Sequence, residues 1–372
     1  MKKIIGIIII FLTIGMFHSY SSEHIEISLL TCSSGSESFT TWGHSALRIV
    51  NNKNKIDVVY NFGLFDFNTP NFYSKFIQGK LKYKLGIHST DRFFRSYLSD
   101  NRQIIEQKLD LSDEDEIKII QRLEYLYQPE NRYYYYDFLR KNCTSELRDL
   151  IFENIETDFH DKNTNKTYRD QLNEFMTNKP WLKLGINLIF GMSVDKEVTK
   201  FQSMFLPDYL CWELSDVKVS GKELVYSQQI FNEVEDENLS YPILLNPILI
   251  FSVLLLIVLI IKSSKIQLPI FILTGLLGLL IISVWLITEH SELKGNFNLL
   301  WCNPLYLIFL FPLKNNKFKL YLSIVLQTMI IGIIIVWISN IQSFEFAFIP
   351  VVLILSIYNI RTIKKSIEFD AL

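Results

Sequence analysis

Two hydrophobic regimes divide the chain. Up to about residue 241, apolar positions recur with the short periods of strands and amphipathic helices; from Pro242 they run almost without interruption. In the first regime, residues 25–31 alternate and are β-branched, which predicts a strand. Residues 32–41 are rich in Ser and Gly and read as a loop, which becomes a second strand at His44 with Leu47 and Ile49 on one face. Residues 56–62, 81–87 and 103–109 predict three more strands, with short helices over 72–79 and 90–100. Ser112 or Asp113 caps a helix that carries acids in its first turn and runs to about Tyr127. Asn142-Cys143-Thr144 opens another: Asn is a favoured N-cap, and Leu147, Leu150, Ile151 and Ile155 follow at helical spacing. Residues 160–165 read as a polar loop, 168–176 and 182–190 as helices. Residues 206–219 and 222–229 are mixed, with a hairpin across Ser220-Gly221, and 233–238 form an acidic linker.

The second regime predicts spanning helices over 243–261, 268–287, 299–313, 320–339 and 344–360. Basic residues follow the first (Lys262, Lys265), the third (Lys314, Lys317, Lys319) and the fifth (Arg361, Lys364, Lys365). Five alternating spans put all three clusters on one side. By the positive-inside rule that side is the cytoplasm. At the other end of the chain, two lysines followed by the apolar run 4–17 read as a signal peptide, with small residues at Ser19 and Ser21 and cleavage near Ser21 or Ser22. Both signals place residues 22–241 outside the cytoplasm. The expected organisation is a signal peptide over 1–21, an exported domain over 22–241 and a membrane domain over 242–372.

A net charge of −2 gives no reason to invoke nucleic acid. The four cysteines, Cys32, Cys143, Cys211 and Cys302, contain no CxxC pair, and histidine is sparse, so neither a metal site nor a cofactor is expected. Spacing leaves a Cys32–Cys143 disulfide open.

Cys143 falls in the first turn of its helix, where the helix dipole and free N–H groups favour thiolate, the reactive form. A nucleophilic thiol needs a base and a group to orient it. Among His24, His44, His88 and His160, His44 is the best placed, at a strand edge between a glycine and a hydroxyl; His88 is the alternate. The opposing reading is a buried cysteine and a core histidine. The aromatics Phe62, Phe65, Phe67, Phe72, Tyr73 and Phe76 form either an acyl groove and membrane-facing rim or part of the core, and core is preferred for at least half of them.

Several segments together resemble the Lnb-type lipoprotein N-acyltransferases: Ser28-Leu-Leu-Thr-Cys-Ser-Ser-Gly35, Trp42-Gly-His-Ser-Ala-Leu-Arg-Ile49, Val59-Tyr-Asn-Phe-Gly-Leu-Phe-Asp-Phe67, residues 72–85, Tyr136-Asp-Phe with Asn142, Cys143, Arg148 and Asp149, and Pro180-Trp-Leu-Lys-Leu-Gly185. The loop from Glu289-His290 through Asn296-Phe-Asn-Leu-Leu-Trp301 to Asn303-Pro-Leu305 is similar to the family's membrane part. Ser145-Glu146 departs from the pattern, where a basic residue is expected.

The resemblance implies an α+β papain-like domain of the permuted NlpC/P60 type, followed by an α-helical membrane domain of about five spans. It implies that Cys143 takes an acyl chain from a membrane phospholipid as a thioester and passes it to the amine of a diacylated lipoprotein, with His44 as base and then acid. Asn61 is favoured as the third member, holding the imidazole tautomer, with Asp66 and Tyr60 as rivals. His290, Asn296, Asn298 and Asn303, with Arg48, Arg148 and Asp66, are candidates for binding a headgroup or lipoprotein backbone; ordinary loop structure and surface ion pairing are the competing readings. Two other functions remain open: a membrane-anchored cysteine peptidase, amidase or lipase, and a non-catalytic receptor or scaffold.

Overall fold

A computed structural model describes residues 25–233, 241–261, 263 and 265–370. The expected signal peptide and most of the acidic linker lie outside them. Seven antiparallel strands form the main sheet: β1 (Ile25–Cys32), β2 (His44–Asn51), β3 (Ile56–Leu64), β4 (Lys82–Ser89), β5 (Ile104–Leu109), β6 (Tyr133–Tyr135) and β11 (Val225–Phe231), in the order β11-β5-β1-β2-β3-β4-β6. Two small ribbons pair β7 (Asn163–Thr167) with β8 (Glu197–Thr199), and β9 (Lys218–Val219) with β10 (Lys222–Glu223) across Ser220-Gly221. β7 overlaps the stretch expected to be a loop; its residues are polar and carry no alternation to betray a strand, and Val198 of β8 is the ribbon's buried side chain.

Alternation along the strands sorts side chains to two layers. Leu29, Leu47 and Phe62 face one core, which receives Leu147, Leu150 and Ile151 from the helix Cys143–Asn154. Leu30, Cys32, Ala46 and Val59 face the other, under Phe93 of the helix Thr90–Leu98. Full burial of such aliphatic side chains contributes about 1.5–3 kcal/mol each. Residues 206–219, expected to be mixed, give the helix Pro207–Asp216, with Tyr209, Leu210, Cys211 and Leu214 buried.

The apolar third forms a bundle. Its helices are Pro247–Ile261, Gln267–Ile287, Asn316–Ile338 and Ile349–Asp370. The last three are long and apolar enough to cross a membrane; Pro247–Ile261 is shorter. Their polar contacts fix the directions. Trp181 Nε1 donates to Leu245 O, and Glu289 N to Gln78 O, so the start of the first and the end of the second lie against the globular domain. Gln267 Nε2 reaches Thr362 Oγ1, and Asn316 Nδ2 donates to Ser366 O, so the start of the second, the start of the third and the end of the fourth meet at the far end.

The stretch 299–313, expected to be a third spanning helix, is not one. It traverses the bundle as two 3₁₀ pieces, Phe297–Leu300 and Pro304–Leu310. Pro304 supplies no N–H and Asn303 caps Leu305 N, which breaks an α-helix there. At about 2 Å of rise per residue, 3₁₀ geometry lets so short a run cover roughly 30 Å, a hydrocarbon thickness. Non-helical backbone survives at that depth only inside protein. Here Trp301, Cys302 and Tyr306 are buried, and a Cβ on Gly278 would stand 2.3 Å from Cys302 O, one on Gly275 2.6 Å from Leu307. The two glycines let helix and ribbon touch, as small residues do in membrane packing.

Candidate functional site

Asn142 fixes the start of the helix that carries Cys143. Its Oδ1 accepts from Thr144 N at 2.8 Å and Ser145 N at 2.9 Å, while its Nδ2 donates to Phe138 O and Phe205 O. Ser145 Oγ accepts from Asn142 N, closing a capping box. That gives Ser145 a local reason to stand where the sequence pattern led us to expect a base.

His44 and Asn61 occupy adjacent strands on the face opposite the cysteine helix. Asn61, buried to 6 % exposure, holds His44 Nε2 at 2.7 Å from its Oδ1. An amide oxygen accepts only from an N–H, so Nε2 carries the proton and Nδ1 is left for the thiol. The imidazole stacks on Tyr97, with ring centroids 6.0 Å apart and planes 13° apart.

Thiol and imidazole meet past the edge of β3 because Gly63 has no side chain. A Cβ there would lie 3.4 Å from Cys143 Cβ and 3.9 Å from His44 Cε1. Gly63 has φ +88°, and the β3–β4 register shifts between Asn61 and Leu64. The bulge turns the strand away and opens the gap. Burial raises the thiol's pKa, but the nearby His44 imidazole, the Ser45 N–H and the Thr144 hydroxyl outweigh it and bring Cys143 down to about 7. Burial lowers the imidazole's, and the thiolate with the Asn61 acceptor more than restores it, leaving His44 above its ordinary value. Each group therefore stabilises the charged form of the other. Cys32, paired in register with His44, is fully buried with its pKa pushed up by that burial, and is inert by comparison. All four thiols are free, so the open Cys32–Cys143 disulfide is absent.

The remaining candidates divide. Tyr60 and Asp66, the rivals to Asn61, make no contact with His44: Tyr60 packs against the opposite core, and Asp66 accepts from Asn68 N in an exposed turn. Asp66 is thus placed as a turn residue. Arg48 pairs with Asp57 at 2.8 Å and Glu106 at 3.0 Å. Arg148 pairs with Asp149 and lies 4.3 Å over the Phe201 ring. Both guanidiniums are paired within the fold, the competing reading for them. Asn296 and Asn298 are buried and donate to Leu188 O; Asn298 also accepts from Trp301 Nε1. Asn303 caps Leu305 and borders an apolar cavity of about 640 Å³ with Trp285, Leu300 and Met329. His290 Nε2 lies 3.0 Å from Phe76 O and Nδ1 3.4 Å from Glu292. His290, Asn296 and Asn298 knit the membrane loop to the globular domain, while Asn303 bonds within the membrane part, to Leu299 O and Leu305 N.

Sequence reading passed over Gly63, the Ser45 N–H, Tyr97 and Arg102, whose guanidinium stacks 4.6 Å from the Tyr97 ring. Gly63 was visible inside the motif at 59–67, but only the pairing register shows what it spares. Of the six aromatics, Phe62 is core, Phe65 and Phe72 pack half-buried against it, and Phe67, Tyr73 and Phe76 are exposed. Tyr73 and Phe76 stand on the helix Phe72–Gln78, whose end meets the membrane helix at Glu289.

Fold and site together define a membrane protein with a paired, low-pKa thiol on the globular side of its bundle. Family comparison places it further. The model for the Lnb N-terminal periplasmic domain matches residues 16–174, and that for the Lnb transmembrane domain matches 235–367. The chain belongs to the Lnb family. No curated protein and no solved structure gives a significant match.

Proposed function

We propose that the chain is a lipoprotein N-acyltransferase of the bacterial inner membrane, with residues 22–241 on the periplasmic side and a papain-like use of Cys143, His44 and Asn61. One observation carries the reading: a thiol brought to about 7 by an oriented imidazole, in a domain fastened to the bilayer edge. Cys143 thiolate attacks an ester carbonyl of a phospholipid. The C–O bond breaks, and the imidazolium of His44 gives its proton to the departing lysolipid alkoxide, leaving a thioester. The α-amine of a diacylglyceryl-cysteine then attacks that thioester. His44 takes the amine proton and returns it to the leaving thiolate, which restores the resting pair. The Ser45 N–H, already donating to the sulfur, supports charge developing beside it.

The bilayer supplies the substrate argument. Exposed Phe67, Tyr73 and Phe76 gather where the globular domain meets the bundle, the placement of aromatics at membrane interfaces. A freely diffusing peptide needs no such rim, which disfavours the peptidase reading. The free thiols remove the simplest argument for a disulfide-bonded scaffold.

The test is intact mass of the full-length protein after incubation with a defined phospholipid. A fatty acyl adduct on Cys143, absent in Cys143→Ala, supports the thioester. Unchanged triacylation of lipoproteins in cells carrying only Cys143→Ala refutes transfer.

A further inference from the structure

The far end of the bundle holds a cavity of about 860 Å³ between the helices Gln267–Ile287, Asn316–Ile338 and Ile349–Asp370. Lys314, Lys319, Arg361 and Lys365 line it, against one carboxylate, Glu368. None of the three lysines forms an ion pair with a described residue, and neither does Glu368. Arg361 lies over the Tyr358 ring, and its buried Nη1 has no hydrogen-bond partner. The floor is of another kind: Phe309, Phe311 and Leu313, from the end of the non-helical ribbon.

Positive-inside lysines need only point into water. These instead converge on a concave surface, with an unsatisfied buried donor and an aromatic floor. Counting one charge for each titratable lining residue, the cavity carries +3. That combination suits a phosphodiester beside apolar chains.

We propose that this cavity binds an anionic glycerophospholipid, its phosphate among Lys314, Lys319, Arg361 and Lys365 and its chains against Phe309 and Phe311. Basic pockets between membrane helices on this side are a known form of headgroup site. The site lies across the bundle from Cys143 and is separate from the acyl donor's.

The test is native mass spectrometry of the full-length protein in detergent, titrated with phosphatidylglycerol, phosphatidylcholine or inorganic phosphate. Phosphatidylglycerol should be retained at least tenfold more tightly than phosphatidylcholine. Each lysine contributes about fivefold, so Lys314→Gln with Lys319→Gln should weaken retention about thirtyfold. Glu368→Gln should tighten it about fivefold, a gain that misfolding cannot imitate. An unchanged thermal unfolding midpoint of the full-length protein in detergent shows that each variant is folded. Equal retention of both lipids, no response to the lysine pair in a folded protein, or displacement of phosphatidylglycerol by an equal concentration of inorganic phosphate would overturn the assignment. The acyl-adduct experiment on Cys143 reads out independently of all three.

Discussion

Replacing Asn61 by Ala removes the only acceptor seen on His44 Nε2 among the described residues. That bond strengthens when the ring is charged, and a hydrogen bond to a charged group contributes about 1.5–3 kcal/mol. Its loss destabilises the imidazolium and so the thiolate that depends on it. Water partly replaces a lost acceptor, so the lower figure applies, equal to about one pH unit. The rate of Cys143 alkylation by iodoacetamide, followed against pH by intact mass, should have its midpoint near 7 in the wild type. In Asn61→Ala the midpoint should move to about 8, which at pH 7 slows alkylation about fivefold. The sign is fixed: reactivity falls as pH drops through the thiol's pKa, and the variant loses it at a higher pH. Asn61→Asp keeps an acceptor and adds negative charge, so its midpoint should stay at 7 or fall below it. If Asn61→Ala keeps the wild-type midpoint and wild-type thermal stability, the amide does not orient the ring and the three-residue account fails.

Other substitutions test other parts. His44→Ala should return the thiol to its ordinary range or above, with alkylation at pH 7 slowed more than tenfold, since a free cysteine titrates near 8.5. Gly63→Val should cost about 1–2 kcal/mol for a left-handed backbone and wedge a side chain between thiol and ring; thermal unfolding and alkylation rate should both fall. Arg169→Ala should cost about 3–5 kcal/mol, because the Arg169–Asp195 pair at 2.9 Å is buried and Asp195 would be stranded; a melting curve checks it. His290→Ala should speed amide exchange in Phe72–Gln78, where the ring now meets Phe76 O, while leaving the Cys143 helix protected.

What the sequence disclosed follows from the range of each interaction. Strands β1, β2, β3 and β5 were legible because β-branched and apolar runs bounded by turn residues are local signals, although β1 and β2 are buried on both faces, and the Cys143 helix because its cap and apolar spacing are local. Asn61 was legible as a candidate because it lies one strand from His44. The role of Gly63 was not, because it depends on a helix arriving from eighty residues away. The same limit explains the ribbon at 299–313: its apolar composition matches a spanning helix, and only the Asn303-Pro304 break and the groove offered by Gly275 and Gly278 decide otherwise. Arg48 and Arg148 looked available because a sequence shows charges and not their partners; Asp57, Glu106 and Asp149 had already claimed them.

The ribbon bears on how the protein is assembled in the cell. A helix can enter lipid alone, since its backbone bonds are internal; a 3₁₀ strip with a proline at its centre cannot, because its unmatched amides would face hydrocarbon. Residues 299–313 must therefore await the helix Gln267–Ile287 before leaving the insertion machinery, and enter as a pair with it. A bulky residue at Gly278 would then act during biogenesis, leaving the strip stalled in the channel and the half-made chain open to proteolysis.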